Sequence, residues 1–146
     1  MENYLYRETI RKIEYYLYNY DFMDFNVDLL KTDVDNFDYK QTYNVWIKNK
    51  SSSLEDEVIR NIGNEQRILK IRKWKKLIDE VLESYKIKDK AKYHFICLKY
   101  FRKLKPIKIQ DKLDLSYKEQ IEMKMEILSY ILAVAIKKNM LKEVQV

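Results

Sequence analysis

Residues that make tight turns are almost missing: the 146-residue chain has one glycine, Gly63, and one proline, Pro106. An all-β fold asks for such residues at each hairpin, so that class is excluded. A single glycine also cannot build a phosphate-cradling loop. The single cysteine, Cys97, rules out an internal disulfide and fits a reducing cytoplasm. The single histidine, His94, leaves no cluster of histidines and cysteines with zinc spacing. No run approaches the roughly 18 apolar residues that a membrane span needs. The opening MENYLYRETIRKIEYY mixes charges of both signs, unlike a secretory signal.

What is present is Lys, Glu, Ile, Leu and Tyr, the composition of an all-α fold. The length suits one domain, or one domain with an arm, and can bury a core without metal or disulfide. The net charge of +6 is unevenly spread. Residues 1–40 hold nine acids against five bases. Residues 86–112 hold ten bases against Asp89 and Asp111. That polarity points the C-terminal half toward a polyanion and gives the N-terminal half another task.

Along the chain, Leu5, Ile10, Ile13 and Leu17 recur at helical spacing over residues 4–20, joined by Tyr6, Tyr16 and Tyr20. The six tyrosines of this stretch are expected to cover a core, because a base-stacking platform would need basic neighbours and these are acidic. From residue 21 to 50 the pattern loosens. Asp33, Asp35 and Asp38 lack the turn glycine and terminal glutamate of a calcium loop, so a solvated acidic face is expected there. Trp46 and Ile47 are read as anchors. Ser51-Ser52-Ser53 before Leu54-Glu55-Asp56-Glu57 marks a capped helix start. That helix is expected to end near Gly63, and a longer one to run from about 64 to 85 with Ile68, Ile71, Leu77, Ile78, Val81 and Leu82 buried. Its segment RILKIRKWKK carries six bases and no acid, read as a wet face or a second strip of phosphate contacts. Asp89 is placed to cap the next helix, whose Tyr93, Phe95, Ile96, Leu98, Tyr100 and Phe101 look buried.

Residues 93–139 organise the rest. Pro106 suits the first turn of a short helix. Leu113-Asp114-Leu115-Ser116 forms a polar turn, and Ser116 with Glu119 makes a capping box for a long helix. A short helix, a turn of about four residues and a capped second helix is the shape of a helix-turn-helix. In the long helix Ile121, Met125, Leu128 and Leu132 form one apolar line, with Met123, Ile127, Ile131 and Val134 beside it. Its first turns would present Tyr117, Lys118, Gln120, Glu122 and Lys124 to a major groove. Lysine reaches guanine or phosphate, glutamine pairs with adenine and glutamate accepts from cytosine. Lys105, Lys108 and Lys112 would neutralise phosphates. Three glutamates, Glu119, Glu122 and Glu126, temper that tip.

Catalytic groups are scarce. His94 stands three residues before Cys97, but among apolar neighbours the two read as a packed core pair and not as a thiolate with its base. No enzyme and no cofactor are expected.

The stretch with LKYF, the break before Pro106, IQDKLDLS and the long helix after it resembles the fourth conserved region of sigma factors. It is closer still to the RinA/ArpU group of phage late-gene transcription regulators. Those proteins are similar elsewhere too: a helix ending in a tyrosine-rich turn, as in IEYYLYNY, a serine-rich joint before acids, as in SSSLEDEVIRN, and a charged helix leading into the sigma-like module. The resemblance implies an activator of phage or prophage genes that binds promoter DNA through its C-terminal module and engages RNA polymerase. It carries contacts onto Lys108, Tyr117, Lys118, Gln120, Glu122 and Lys124. The sigma-factor helix tip is rich in arginine and this one is not. Asp114 stands where that family commonly has glycine, and aspartate tolerates a left-handed backbone.

The expectation is an all-α cytoplasmic regulator in three parts. Residues 1–50 form a helical oligomerisation or interaction region, 51–88 charged connecting helices, and 89–146 a sigma-like helix-turn-helix bundle that docks on duplex DNA. Two rivals stand beside it: a helical adaptor whose apolar final helix pairs with a partner protein, and a small terminase subunit binding packaging-site DNA as a ring.

Overall fold

A computed structural model describes residues 2–35 and 53–140, with side chains over 6–31 and 63–140. The fold is all-α, and the described residues contain no strand. Among them no helix is long and apolar enough to cross a membrane. The expectations placed on Asp38, Trp46, Ile47, Ser51 and Ser52, and on the side chains of Asp33 and Asp35, lie outside what is described.

Helix α1 spans Glu2–Tyr18. Ile10, Ile13 and Leu17, spaced by three and four residues, are buried along one stripe with Tyr16. The Asn19 side chain closes the helix by donating to the Tyr15 carbonyl oxygen at 2.8 Å. A 3-10 turn, Tyr20–Phe22, leads into α2, Met23–Asp35, so the described part of the loosely patterned acidic segment, residues 21–35, is helical.

Helix α3 runs without a break over Ser53–Lys88, 36 residues. The break expected at Gly63 does not occur. A Cβ built there meets nothing within 4 Å, so the glycine is neither a cap nor a close-packing site, and the propensity cost of one glycine is small in so long a helix. Of the expected stripe, Ile68, Leu77, Ile78, Val81 and Leu82 are buried and Ile71 is half-buried, while Trp74 and Tyr85 join the buried set.

At Asp89 the chain turns a corner. Asp89 takes an extended φ of −149° and its carboxylate accepts from the Lys92 amide at 3.3 Å, starting α4, Lys90–Ile96. The helix then widens into a π-turn, Cys97–Phe101, in which the Arg102 amide donates to the Cys97 carbonyl at 2.9 Å. Lys103 at φ 54° stops it. Helix α5, Pro106–Leu113, opens on its proline, which needs no N–H partner there, and ends at Asp114 in the left-handed region, φ 55° and ψ 43°. Helix α6 spans Tyr117–Lys137. It closes on Asn139 at φ 58°, with the Met140 amide bonded to the Ala135 carbonyl and the Asn139 amide to that of Ile136, a Schellman closure.

Contacts divide the chain into two units, Met1–Asp21 with Trp74–Val146, and Phe22–Lys73. This departs from the expected three-part division, because α1 packs on α6 and on the π-turn instead of belonging to a region of its own. In the first unit α5 packs on α4, the π-turn and α6. Ile13, Leu17, Trp74, Leu77, Phe95, Ile96, Ile127 and Ile131 make its core. Each fully buried side chain of this kind stabilises by about 1.5–3 kcal/mol. Of the six tyrosines expected to cover the core, Tyr16, Tyr18 and Tyr20 line it, and the Tyr4 side chain lies outside the described residues. Tyr16 stacks on Trp74 at 5.0 Å, Tyr18 meets Tyr100 edge-on, and Tyr20 stacks on Phe101 while its hydroxyl bonds the Asp79 carboxylate. Tyr15, edge-on to Tyr16, is exposed.

Candidate nucleic-acid interface

The turn between α5 and α6 is built as its letters read. The Glu119 amide donates to Ser116 Oγ at 3.2 Å, and the Ser116 amide donates to Glu119 Oε1 at 3.2 Å. Two donors left open by the helix start are thereby satisfied. Asp114 accepts the left-handed conformation, so three residues reverse the chain between the two helices.

Tyr117 is 63% exposed at the tip of α6, and Lys118 and Glu122 are exposed on the same outer face. On α5 and just before it, Lys105, Lys108 and Lys112 are exposed; Lys108 and Lys112, four residues apart, share one side. The acids that seemed to oppose them are mostly engaged elsewhere. Glu119 is held in the capping box, and Glu126 pairs with Lys92 at 3.1 Å. Glu122 remains as the outward carboxylate of the tip.

Two expected contacts need correction. Gln120 is 5% exposed and turns inward, its Nε2 donating to the carbonyl oxygens of Pro106 and Leu115, both at 3.0 Å. It holds the turn and has no surface from which to read adenine. Gln120, two residues beyond Lys118, lies about 160° from it around the helix, and only the partner helix decides which side is inward. Lys124 is half-buried and lies close enough to α1 to act on Tyr18. Burial and then Glu14 push the Tyr18 hydroxyl up, and Lys124 pulls it the other way.

Sequence reasoning also missed two members of the outer face. Ile121 and Met125, read as the start of a core line, are 41% and 37% exposed, whereas Leu128 and Leu132 further along that line are buried. The line is real but buried only in its later turns. No local signal marked them, since both continue the apolar spacing of Leu128 and Leu132.

Elsewhere the basic run is partly absorbed. Lys92 is half-buried between Asp89, at 3.5 Å, and Glu126. Burial pulls its ammonium down, but the Glu126 and Asp89 carboxylates outweigh this and the net direction is up. Lys99 lies over the Tyr100 ring at 5.5 Å. On α3, Arg67, Lys70, Arg72, Lys73 and Lys76 are exposed.

His94 is exposed with its ring edge-on to Tyr93 at 5.6 Å, so the expected packed core pair with Cys97 is not formed. Burial pushes the half-buried Cys97 thiol up, away from the thiolate, with a Tyr93 hydrogen bond working against it and Asp21 with it. Among the described residues no group of three or more His, Cys, Asp and Glu is placed to hold a metal ion.

No protein-family model, no curated protein and no solved structure matches this chain.

Proposed function

We propose that this chain is a DNA-binding transcription regulator without enzymatic activity, an activator of phage or prophage genes that grips duplex DNA through α5, the turn and α6. The observation that carries the reading is the bare tip of α6: Tyr117 and Lys118 stand exposed, with Lys105, Lys108 and Lys112 exposed along the helix before the turn. A helix tip free to enter a groove, with lysines beside it to neutralise phosphates, is how a helix-turn-helix docks. The resemblance to the sigma-factor and RinA/ArpU groups supports the same reading and adds RNA polymerase as a second partner.

The test is a mobility-shift titration with duplex DNA over a range of salt. Retardation with a log–log salt slope of several units is expected. The rival helical adaptor draws on exposed Phe22, Phe25 and Leu29, spaced by three and four residues on one side of α2 and its entry. No retardation even at low salt would favour it. Mass in solution separates out the packaging-subunit reading, which requires a ring.

A further inference from the structure

The outer face of the α6 tip carries more apolar surface than a phosphate contact can use. Gln120 sets which side of the helix points inward, through its two bonds to the Pro106 and Leu115 carbonyls. With that side fixed, Tyr117, Lys118, Ile121, Glu122 and Met125 point outward together. Ile121 and Met125 thus stand exposed on the face that the proposed function sends into the major groove.

We infer that Ile121 and Met125 read the 5-methyl groups of thymine, so that the site selects thymine-bearing steps. This inference rests on the duplex-binding reading. In the major groove the thymine methyl is the apolar group that a base pair presents, and apolar side chains are its natural partners. The two residues are one helical turn apart, a rise of about 6 Å. Successive bases of one strand are spaced by about 3.4 Å, so the two side chains address methyls about two base steps apart. The alternative occupant of an apolar tip is another protein. Charge favours DNA: Glu122 offsets Lys118 on the face itself, but Lys105, Lys108 and Lys112 stand exposed on and before the adjoining helix and outnumber Asp111 there.

The full chain is incubated with a pool of random duplexes, and retained sequences are recovered and remade with deoxyuridine for thymidine, which removes only the methyl. Retained duplexes are expected to be enriched in thymine, and the substituted forms to bind about fourfold more weakly for each methyl contacted. Ile121→Ala combined with Met125→Ala should erase the thymine–uracil difference while leaving the salt slope unchanged. Because both positions are exposed, the variant keeps its melting transition, and the wild-type comparison stands without it. Equal affinity for the thymine and uracil forms overturns the inference and leaves duplex binding intact. Retention of no duplex overturns both and gives the tip to a protein partner.

Discussion

The side-chain amide of Gln120 donates to the carbonyl oxygen of Pro106 at 3.0 Å, tying the start of α6 to the start of α5. The same nitrogen donates to the Leu115 carbonyl, also at 3.0 Å, so one buried amide secures both the helix and the turn. Gln120→Leu would remove both donors while keeping an apolar body of similar size. Each hydrogen bond lost costs about 0.5–1.5 kcal/mol, so a loss of about 1–3 kcal/mol is expected. Urea denaturation measures it, and wild-type stability would mean that the two helices are held by other contacts.

Ser116 makes a smaller and more local contribution. Ser116→Ala should cost about 1 kcal/mol, because the Glu119 amide loses its acceptor while the helix keeps its packing against α1. An unmoved urea midpoint would show that the start of α6 frays in solution and that the cap is dispensable.

Much of the fold was readable because its signals are local. The capping box at Ser116 and Glu119, the cap at Asp89 and the proline opening α5 each depend on a handful of adjacent residues, and each forms as its letters imply. What could not be read depends on partners distant in sequence. Gln120 looks like any polar residue on a helix tip until α5 supplies the carbonyl that turns it inward. Ile121 and Met125 continue the apolar period of Leu128 and Leu132, and only the packing of other helices decides where that period stops being core. The joining of α1 to the C-terminal helices has the same origin: Tyr100, at 0% exposure, bonds Glu14 across 86 positions, and no window of local sequence contains both.

Gly63 lies within α3, where a Cβ would meet nothing within 4 Å. Alanine favours the helix interior over glycine by about 1 kcal/mol. Gly63→Ala should therefore raise stability by about 0.5–1 kcal/mol, part of it by narrowing the freedom of the unfolded chain. A calorimetric melt checks the sign. A lower melting temperature would mean that α3 breaks at this position in solution.

Alkaline pH should weaken the fold through Tyr100 and Tyr85. Burial, and then Glu14, push the Tyr100 hydroxyl above its ordinary value of 10.0; burial, with Tyr130, Asp89 and Glu126 after it, does the same for Tyr85. Below pH 10 both the folded and the unfolded chain keep these protons, and the stabilisation is complete. As pH rises past 10 the unfolded chain releases them and the folded chain does not, so stability falls. Each such tyrosine contributes a slope of about 1.4 kcal/mol per pH unit. Urea titrations between pH 9 and 11 should show the decline, and Tyr100→Phe should flatten it by about one tyrosine's share. The same variant should lose about 1 kcal/mol at pH 8, where its bond to Glu14 at 2.9 Å is missing. A variant with the wild-type slope would show that Tyr100 ionises normally in the fold.

The location of the DNA surface can be decided by counting released counterions. Lys108 and Lys112 lie one turn apart on α5 and are both exposed, as Arg72 and Lys73 are on α3. Each phosphate contact contributes about 0.9 to the slope of log affinity against log salt. Replacing Lys108 and Lys112 together by glutamine should lower that slope by about 1.8 and weaken binding to all duplexes alike, since phosphates carry no sequence. Replacing Arg72 and Lys73 by glutamine should leave the slope where it was. These substitutions remove exposed charge and no buried contact, so the melting transition should hold in both variants. The opposite pattern, a shallower slope from the α3 pair and none from the α5 pair, would move the polyanion to α3. The apolar tip of α6 would then be left for another partner.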